Sequence, residues 1–77
     1  MKLYLWEYIG IKAVVQAKRK QGSLGIDAVQ QVVAAIAYYN ANLGMVFTNS
    51  KFTQNAKNLA TSNQIGLWDR EDLKNNS

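Results

Sequence analysis

The chain reads as a mixed α/β domain in the order β-β-α-β-α-β-α, an N-terminal hairpin followed by a parallel second half with helices packed on the sheet. Three observations predict this. Residues 2–18 are aromatic, β-branched and apolar with one glycine break at Gly10, the composition of two strands and a tight turn. From Ile26 the apolar period changes to three and four residues, through Val29, Val32, Val33, Ile36 and Tyr39, which is helical. Two later apolar runs, around Val46 and Leu67, are short, bounded by turn residues and separated by a second helical stretch. Strands alternating with helices of this length imply right-handed crossovers and parallel pairing.

Taken in order, Leu3–Tyr8 and Ile11–Lys18 are the hairpin strands, within residues 2–18, turning at Ile9 and Gly10. The polar, glycine-punctuated stretch from Lys18 to Gly25 is a loop. A helix over 26–41 follows, with Asp27 in the first turn where a negative charge suits the macrodipole. Alanines at 28, 34, 35, 37 and 41 favour helix and permit close packing. Residues 45–49 form a buried strand. Thr53 caps a helix over 53–62, with Phe52 placed for a hydrophobic staple. Residues 65–68 make a last strand, Asp69 caps a turn over Arg70–Leu73, and Asn75, Asn76 and Ser77 are expected to fray.

Seventy-seven residues make one domain at most, and one of this size buries only about 60% of its unfolded surface. The chain contains no cysteine and no histidine, so neither disulfides nor a zinc site of those ligands reinforces it. Oligomerisation is the remaining common remedy. No apolar run approaches a membrane span, and Glu7 and Tyr8 stand where a signal peptide has its apolar centre. A cytoplasmic location is therefore expected, with no membrane partner. The formal charge of +4 favours an acidic partner such as nucleic acid.

The stretch that carries chemistry is Ala13-Val14-Val15-Gln16-Ala17-Lys18-Arg19. On a strand Gln16 and Lys18 point to one face, roughly 6–7 Å apart, together with Lys12 and Val14. Ala13, Val15 and Ala17 take the other face and are expected to enter the core. A glutamine carbonyl ligates a hard cation such as Mg²⁺, and a lysine orients an attacking water or steadies phosphoryl charge. From pattern alone the competing reading is an edge strand with a polar outer face. Lys18, Arg19 and Lys20 form a cationic run suited to phosphates, which Lys51 and Lys57 extend if the second helix starts at the same sheet edge. Tyr38, Tyr39, Trp6 and Trp68 fit core or interface packing better than base stacking. Thr48, Asn49, Ser50 and Thr53 are read as satisfying backbone groups at a strand-to-helix turn.

Four blocks, Val14–Arg19, Gly25–Val32, Val46–Thr53 and Leu67–Arg70, resemble in order and spacing the Mrr-type restriction endonucleases of the PD-(D/E)XK nuclease superfamily. The resemblance runs from Gly10 onward. It implies a restriction-endonuclease-like fold and Mg²⁺-dependent hydrolysis of DNA phosphodiesters, in many members of DNA carrying modified bases. Gln16 and Lys18 match the family's Gln-x-Lys half-motif, with Gln16 as metal ligand and Lys18 as catalytic lysine. Lys18, Arg19, Lys20 and Lys51 are the residues expected to contact DNA.

The family's metal-binding aspartate has no counterpart. Its spacing places it near Leu3, and Glu7, the nearest carboxylate, sits closer to the hairpin turn. The expectation is the C-terminal half of an Mrr-type catalytic domain, a single truncated unit over 1–77 that binds DNA but does not cut it unaided. The alternatives are a nuclease whose missing carboxylate comes from a partner, and a non-catalytic homodimeric interaction module that keeps the nuclease fold. The apolar N-terminal strand, exposed at the sheet edge, is the expected route to a homodimer.

Overall fold

A turn with two left-handed residues organises the N-terminal half. Ile9 (φ 49°) and Gly10 (φ 79°) supply the paired positive φ values that let a two-residue hairpin keep the strands' right-handed twist. Glycine adopts this conformation freely, whereas β-branched Ile9 adopts it under strain. The turn joins β1 (Lys2–Tyr8) to β2 (Ile11–Lys18), antiparallel, with Lys2 opposite Ala17 and Tyr8 opposite Ile11. The computed structural model describes residues 2–75, and side chains through residue 72.

The chain continues as β3 (Ser23–Leu24), α1 (Ile26–Tyr39), β4 (Leu43–Thr48), β5 (Lys51–Phe52), α2 (Gln54–Asn63), β6 (Gly66–Trp68) and α3 (Arg70–Asn75). The main sheet has the order β1-β2-β4-β6. β2, β4 and β6 run parallel, so the sheet is mixed, with an antiparallel hairpin and a parallel second half. β3 and β5 form a separate two-stranded parallel sheet inside what the sequence suggests are loops. Among the described residues no helix is long and apolar enough to cross a membrane. The fraying expected of Asn76 and Ser77 lies outside the described residues, while Asn75 closes α3.

Local hydrogen bonds explain where elements begin and end. α1 stops at Tyr39 rather than residue 41 because Asn40 turns left-handed (φ 55°), its N–H donating to Ala37 O at 3.4 Å and the Ala41 N–H to Ile36 O at 2.9 Å, a Schellman C-cap. Asn42 then clamps β2: its side-chain carbonyl accepts from Lys12 N–H at 2.8 Å, and its own N–H donates to Lys12 O at 2.8 Å. This double bond pair fixes Leu43 opposite Ala13, so β4 starts at residue 43 instead of 45. Thr53 caps α2 through Ala56 N–H at 3.1 Å. Asp69 and Asp72 cap α3 reciprocally, each carboxylate accepting the other's N–H at 3.0 Å, the geometry of a capping box.

Among the described residues the core lies on one side of the main sheet. Val14, Val46 and Ile65 meet Ala28, Val29, Val32 and Ala35 of α1 and Ala56 and Ala60 of α2. A Cβ built on Gly44 would stand 2.6 Å from the side-chain tips of Ile36 and Val32, so this glycine lets α1 approach the sheet. The face expected to be buried is therefore the other one. Val14 and Gln16 are buried, whereas Ala17 is exposed and Ala13 and Val15 are half-buried. The sequence misleads here because Ala13, Val15 and Ala17 make an apolar face, whereas Val14 shares its face with Lys12, Gln16 and Lys18. Nor is β2 an edge strand, since it lies between β1 and β4.

Of the core or interface packing expected for the aromatic residues, the core half does not hold for three of them. Trp6 is 72% exposed, Tyr38 is 82% exposed, and Tyr39 is exposed as well. Helical spacing carries Tyr39 onto the apolar stripe, yet at the last position of α1 it is left exposed. Trp68 is half-buried and stacks on Phe47, with ring centroids 5.7 Å apart and planes at 18°.

Candidate nucleic-acid and catalytic site

Gln16 lies near the C-terminal end of β2, beneath α1, and is only 1% exposed. A polar side chain this deep needs partners, and its amide nitrogen donates to Gln31 Oε1 at 2.7 Å. Its register neighbours are Leu3 on β1 and Val46 on β4. Residues directly opposite in a ladder share a face with Cβ atoms about 5 Å apart. Position 3 is thus the place from which a β1 side chain meets Gln16. Lys18, on the same strand, is half-exposed where the sheet ends.

The cations gather along that same end. Lys18 and Arg19 border a hollow of about 510 Å³. Lys20, Lys51 and Arg70 border a neighbouring one of about 410 Å³, and Asn49 lines both. The backbone that holds them is tied together: Asn49 Oδ1 accepts from Lys20 N–H at 3.2 Å, and Arg70 N–H donates to Ser50 O at 2.9 Å. Thr48 Oγ1 accepts from Ser50 N–H at 3.2 Å. The side chains of Thr48, Asn49 and Thr53 thus serve backbone groups at the strand-to-helix turn, while Ser50 takes part through its backbone. Three sequence-distant segments bring three positive charges to one concavity beside the ends of parallel strands, where ligands of such sheets bind.

The restriction endonuclease family model, of the Mrr catalytic type, matches residues 4–76. The chain belongs to the Mrr-type restriction endonuclease family. No curated protein and no solved structure matches it. The family acts on DNA and generally depends on a divalent metal.

The residues present in this Mrr-type chain do not by themselves fit such a metal. Mg²⁺ is held through one or more carboxylates, with waters and phosphate completing an octahedron. Among the described residues no group of three or more histidine, cysteine, aspartate or glutamate side chains is placed to hold an ion. Glu7 pairs with Lys12, four residues along β1 from Leu3, which is about 13 Å of strand. Glu7 therefore does not stand in for the family's aspartate.

Of the residues singled out from sequence, Gln16 and Lys18 end on one strand end, and Lys20 and Lys51 share a hollow. Lys57 does not join them, because it borders a separate hollow with Asp69 and Asp72. Two members escape sequence reasoning. Arg70 is brought in only by the fold. Gln31 carries a weak signal: it lies three residues after Ala28 and four before Ala35, both buried, so it is a polar residue at the margin of an apolar helical stripe.

Proposed function

We propose that this Mrr-type domain binds duplex DNA along the basic rim at the C-terminal ends of β2 and β4. There it presents Gln16 and Lys18 as one half of a phosphodiesterase site, the metal-binding carboxylate being supplied from outside the described residues. The observation that supports the reading most is the convergence of Lys20, Lys51 and Arg70 on one hollow next to Lys18 and Arg19. Ammonium and guanidinium groups arranged along a concave edge neutralise successive phosphates without reading bases. Gln31 holds the Gln16 amide in one orientation, and Lys18 is free at the strand end to approach a phosphoryl oxygen. On this reading the isolated chain binds DNA and does not cut it. A cytoplasmic setting accords with a chain that has no cysteine.

The test is the salt dependence of duplex binding. Each phosphate contact contributes about 0.9 to the slope of log K against log salt, so the Arg19→Gln, Lys20→Gln, Lys51→Gln triple variant is expected to lower the slope by roughly 2.7. An unchanged slope removes the rim from the interface. For the catalytic half, Leu3→Asp is expected to give Mg²⁺- or Mn²⁺-dependent nicking of plasmid DNA that Lys18→Ala abolishes. Cleavage by the unmodified chain that survives Lys18→Ala would overturn the half-site assignment.

A second reading rests on β1. It is an edge strand, exposed along its length, and carries Leu3, Leu5 and Trp6. Such an edge is a template for another chain, which supports a homodimer through paired β1 strands in a non-catalytic interaction module. Light scattering behind size exclusion, read at micromolar concentration, tests it; a well-folded monomer counts against it.

A further inference from the structure

The side of the main sheet away from α1 and α2 has its own organisation. Register places Lys2, Ala17, Phe47 and Trp68 in one row across it, Tyr4, Val15, Met45 and Gly66 in the next, and Trp6, Ala13 and Leu43 in a third. None of these residues belongs to the core cluster. Tyr4 is half exposed and Trp6 more so, and Phe47 stacks on Trp68. At the strand ends this face opens into the 510 Å³ hollow bordered by Lys2, Tyr4, Lys18, Arg19, Phe47 and Asn49, with no carboxylate in its lining among the described residues. Phe47 and Trp68 on the neighbouring strands β4 and β6, with Tyr4 and Trp6 across β2 on the same face and cations along one end, match what an unpaired nucleic-acid strand requires. Its bases stack on rings irrespective of sequence, and its phosphates follow the positive charge. The volume falls within the range that encloses a small organic ligand, so it admits an extruded nucleotide.

We propose that this face is a stacking platform for an unpaired DNA segment, with Tyr4 and Phe47 as the base-contacting rings and Lys2, Lys18 and Arg19 on the phosphates. Two features favour this occupant over a second copy of the chain. The charged residues of the hollow's lining among the described residues, Lys2, Lys18 and Arg19, are all cations, which suits a polyanion. The hollow also shares Asn49 with the basic rim, so a strand leaving a duplex held there passes directly onto the rings. The inference rests on the DNA-binding reading of the rim and adds to it the state of the DNA, locally unpaired.

Both tryptophans of the chain, Trp6 and Trp68, lie on this face by register, so their fluorescence reports its occupancy. Titration with a short oligothymidylate is expected to quench the emission, and a blunt duplex is expected to bind with much less quenching. Tyr4→Ala and Phe47→Leu, the second keeping apolar volume while removing the ring, are each expected to weaken oligothymidylate binding by about 5- to 100-fold and to leave duplex affinity within about twofold. Circular dichroism confirms that each variant is folded, and Tyr4, on an exposed edge strand, is the safer of the two. Oligothymidylate affinity unchanged in both folded variants, with duplex binding intact, overturns the platform and leaves the rim standing. Loss of both binding modes on neutralising the rim, with ring variants silent, likewise assigns all contacts to the rim and overturns the platform. A stable dimer in which oligothymidylate fails to quench the tryptophans gives the face to a second copy and overturns it too.

Discussion

The two faces of the main sheet differ in composition, and the more aromatic, more apolar face is the less buried one. On one, Val14, Gln16 and Val46 lie under α1 and are almost fully buried; on the other, Val15, Met45 and Phe47 remain half-buried with no helix over them. A strand hydrophobic on both sides is the mark of a parallel sheet covered twice, and here one cover is present among the described residues. The difference teaches that side-chain hydrophobicity does not choose the buried face of a central strand. The crossover helix does, because a right-handed β2–α1–β4 connection must lie on one particular side. Once α1 is on that side, Gln16 goes inward with Val14 regardless of its polarity.

The sharpest way to break this comparison is through the two glycines of β4 and β6. A Cβ on Gly44 would meet Ile36, Val32 and Ile65 side chains at 2.6, 2.6 and 2.9 Å, whereas one on Gly66 meets Met45 at 3.4 Å. Gly44→Ala is expected to cost about 1–3 kcal/mol by overpacking, which for a domain of this size is roughly 4–8 °C of Tm per kcal/mol. Gly44→Val is expected to abolish cooperative unfolding. Gly66→Ala is expected to be neutral or to stabilise by about 0.5 kcal/mol, since a strand glycine loses more entropy on folding. Equal effects at the two sites in thermal denaturation would mean that both faces are packed in solution.

The next contrast lies one residue apart on β2. Gln16→Ala removes the 2.7 Å bond to Gln31 and leaves a void under α1, an expected loss of about 2 kcal/mol. Val15→Ala trims a half-buried side chain on the uncovered face, where the void opens to solvent, and is expected to cost less than about 1 kcal/mol. Urea denaturation of the two variants measures the ratio directly. A larger loss at Val15 would reverse the assignment of faces.

How much of this was legible follows from which signals are local. The two long strands, the hairpin turn at Ile9-Gly10, both longer helices and the Thr53 cap depend on neighbours within a few positions, and residue types alone suffice to place them. That Gln16 and Lys18 leave β2 on one face was legible because strand parity is local as well. What lay beyond the sequence is non-local. The inward turn of Gln16 depends on where α1 crosses, and the β3–β5 sheet depends on two segments meeting across α1. Arg70 joins Lys20 and Lys51 through the backbone bond to Ser50. The core half of the reading for Trp6 and Tyr38 failed for a related reason: large aromatics usually signal burial, but burial requires a second layer, and neither ring has one among the described residues, which leaves packing at an interface.

A smaller effect sharpens the comparison at its origin, the turn that sets which residues fall on which face. A one-residue slip in β1 would exchange its two sets of side chains, and the two-residue connection prevents it. Ile9 sits at φ 49°, a conformation unusual for a β-branched residue, and asparagine tolerates it better. Ile9→Asn is therefore expected to stabilise the chain by about 1 kcal/mol, raising Tm with no change in fold. A decrease would mean that the isoleucine side chain makes a contact worth more than the strain it imposes.

The smallest expected effect is the most telling for the uncovered face. Trp6 is exposed, and its register neighbour Ala13 has no bulk to shelter it. Trp6→Thr replaces an exposed indole by a residue of high strand propensity, so the change in stability is expected to stay within about 0.5 kcal/mol. The number depends on concentration only if the face is occupied by another copy, because a partner that binds the folded state adds stability by mass action. Denaturation at two protein concentrations a hundredfold apart separates the cases: a constant, near-zero effect leaves the face open to a polyanion, and a loss that grows with concentration places a second protein chain upon it.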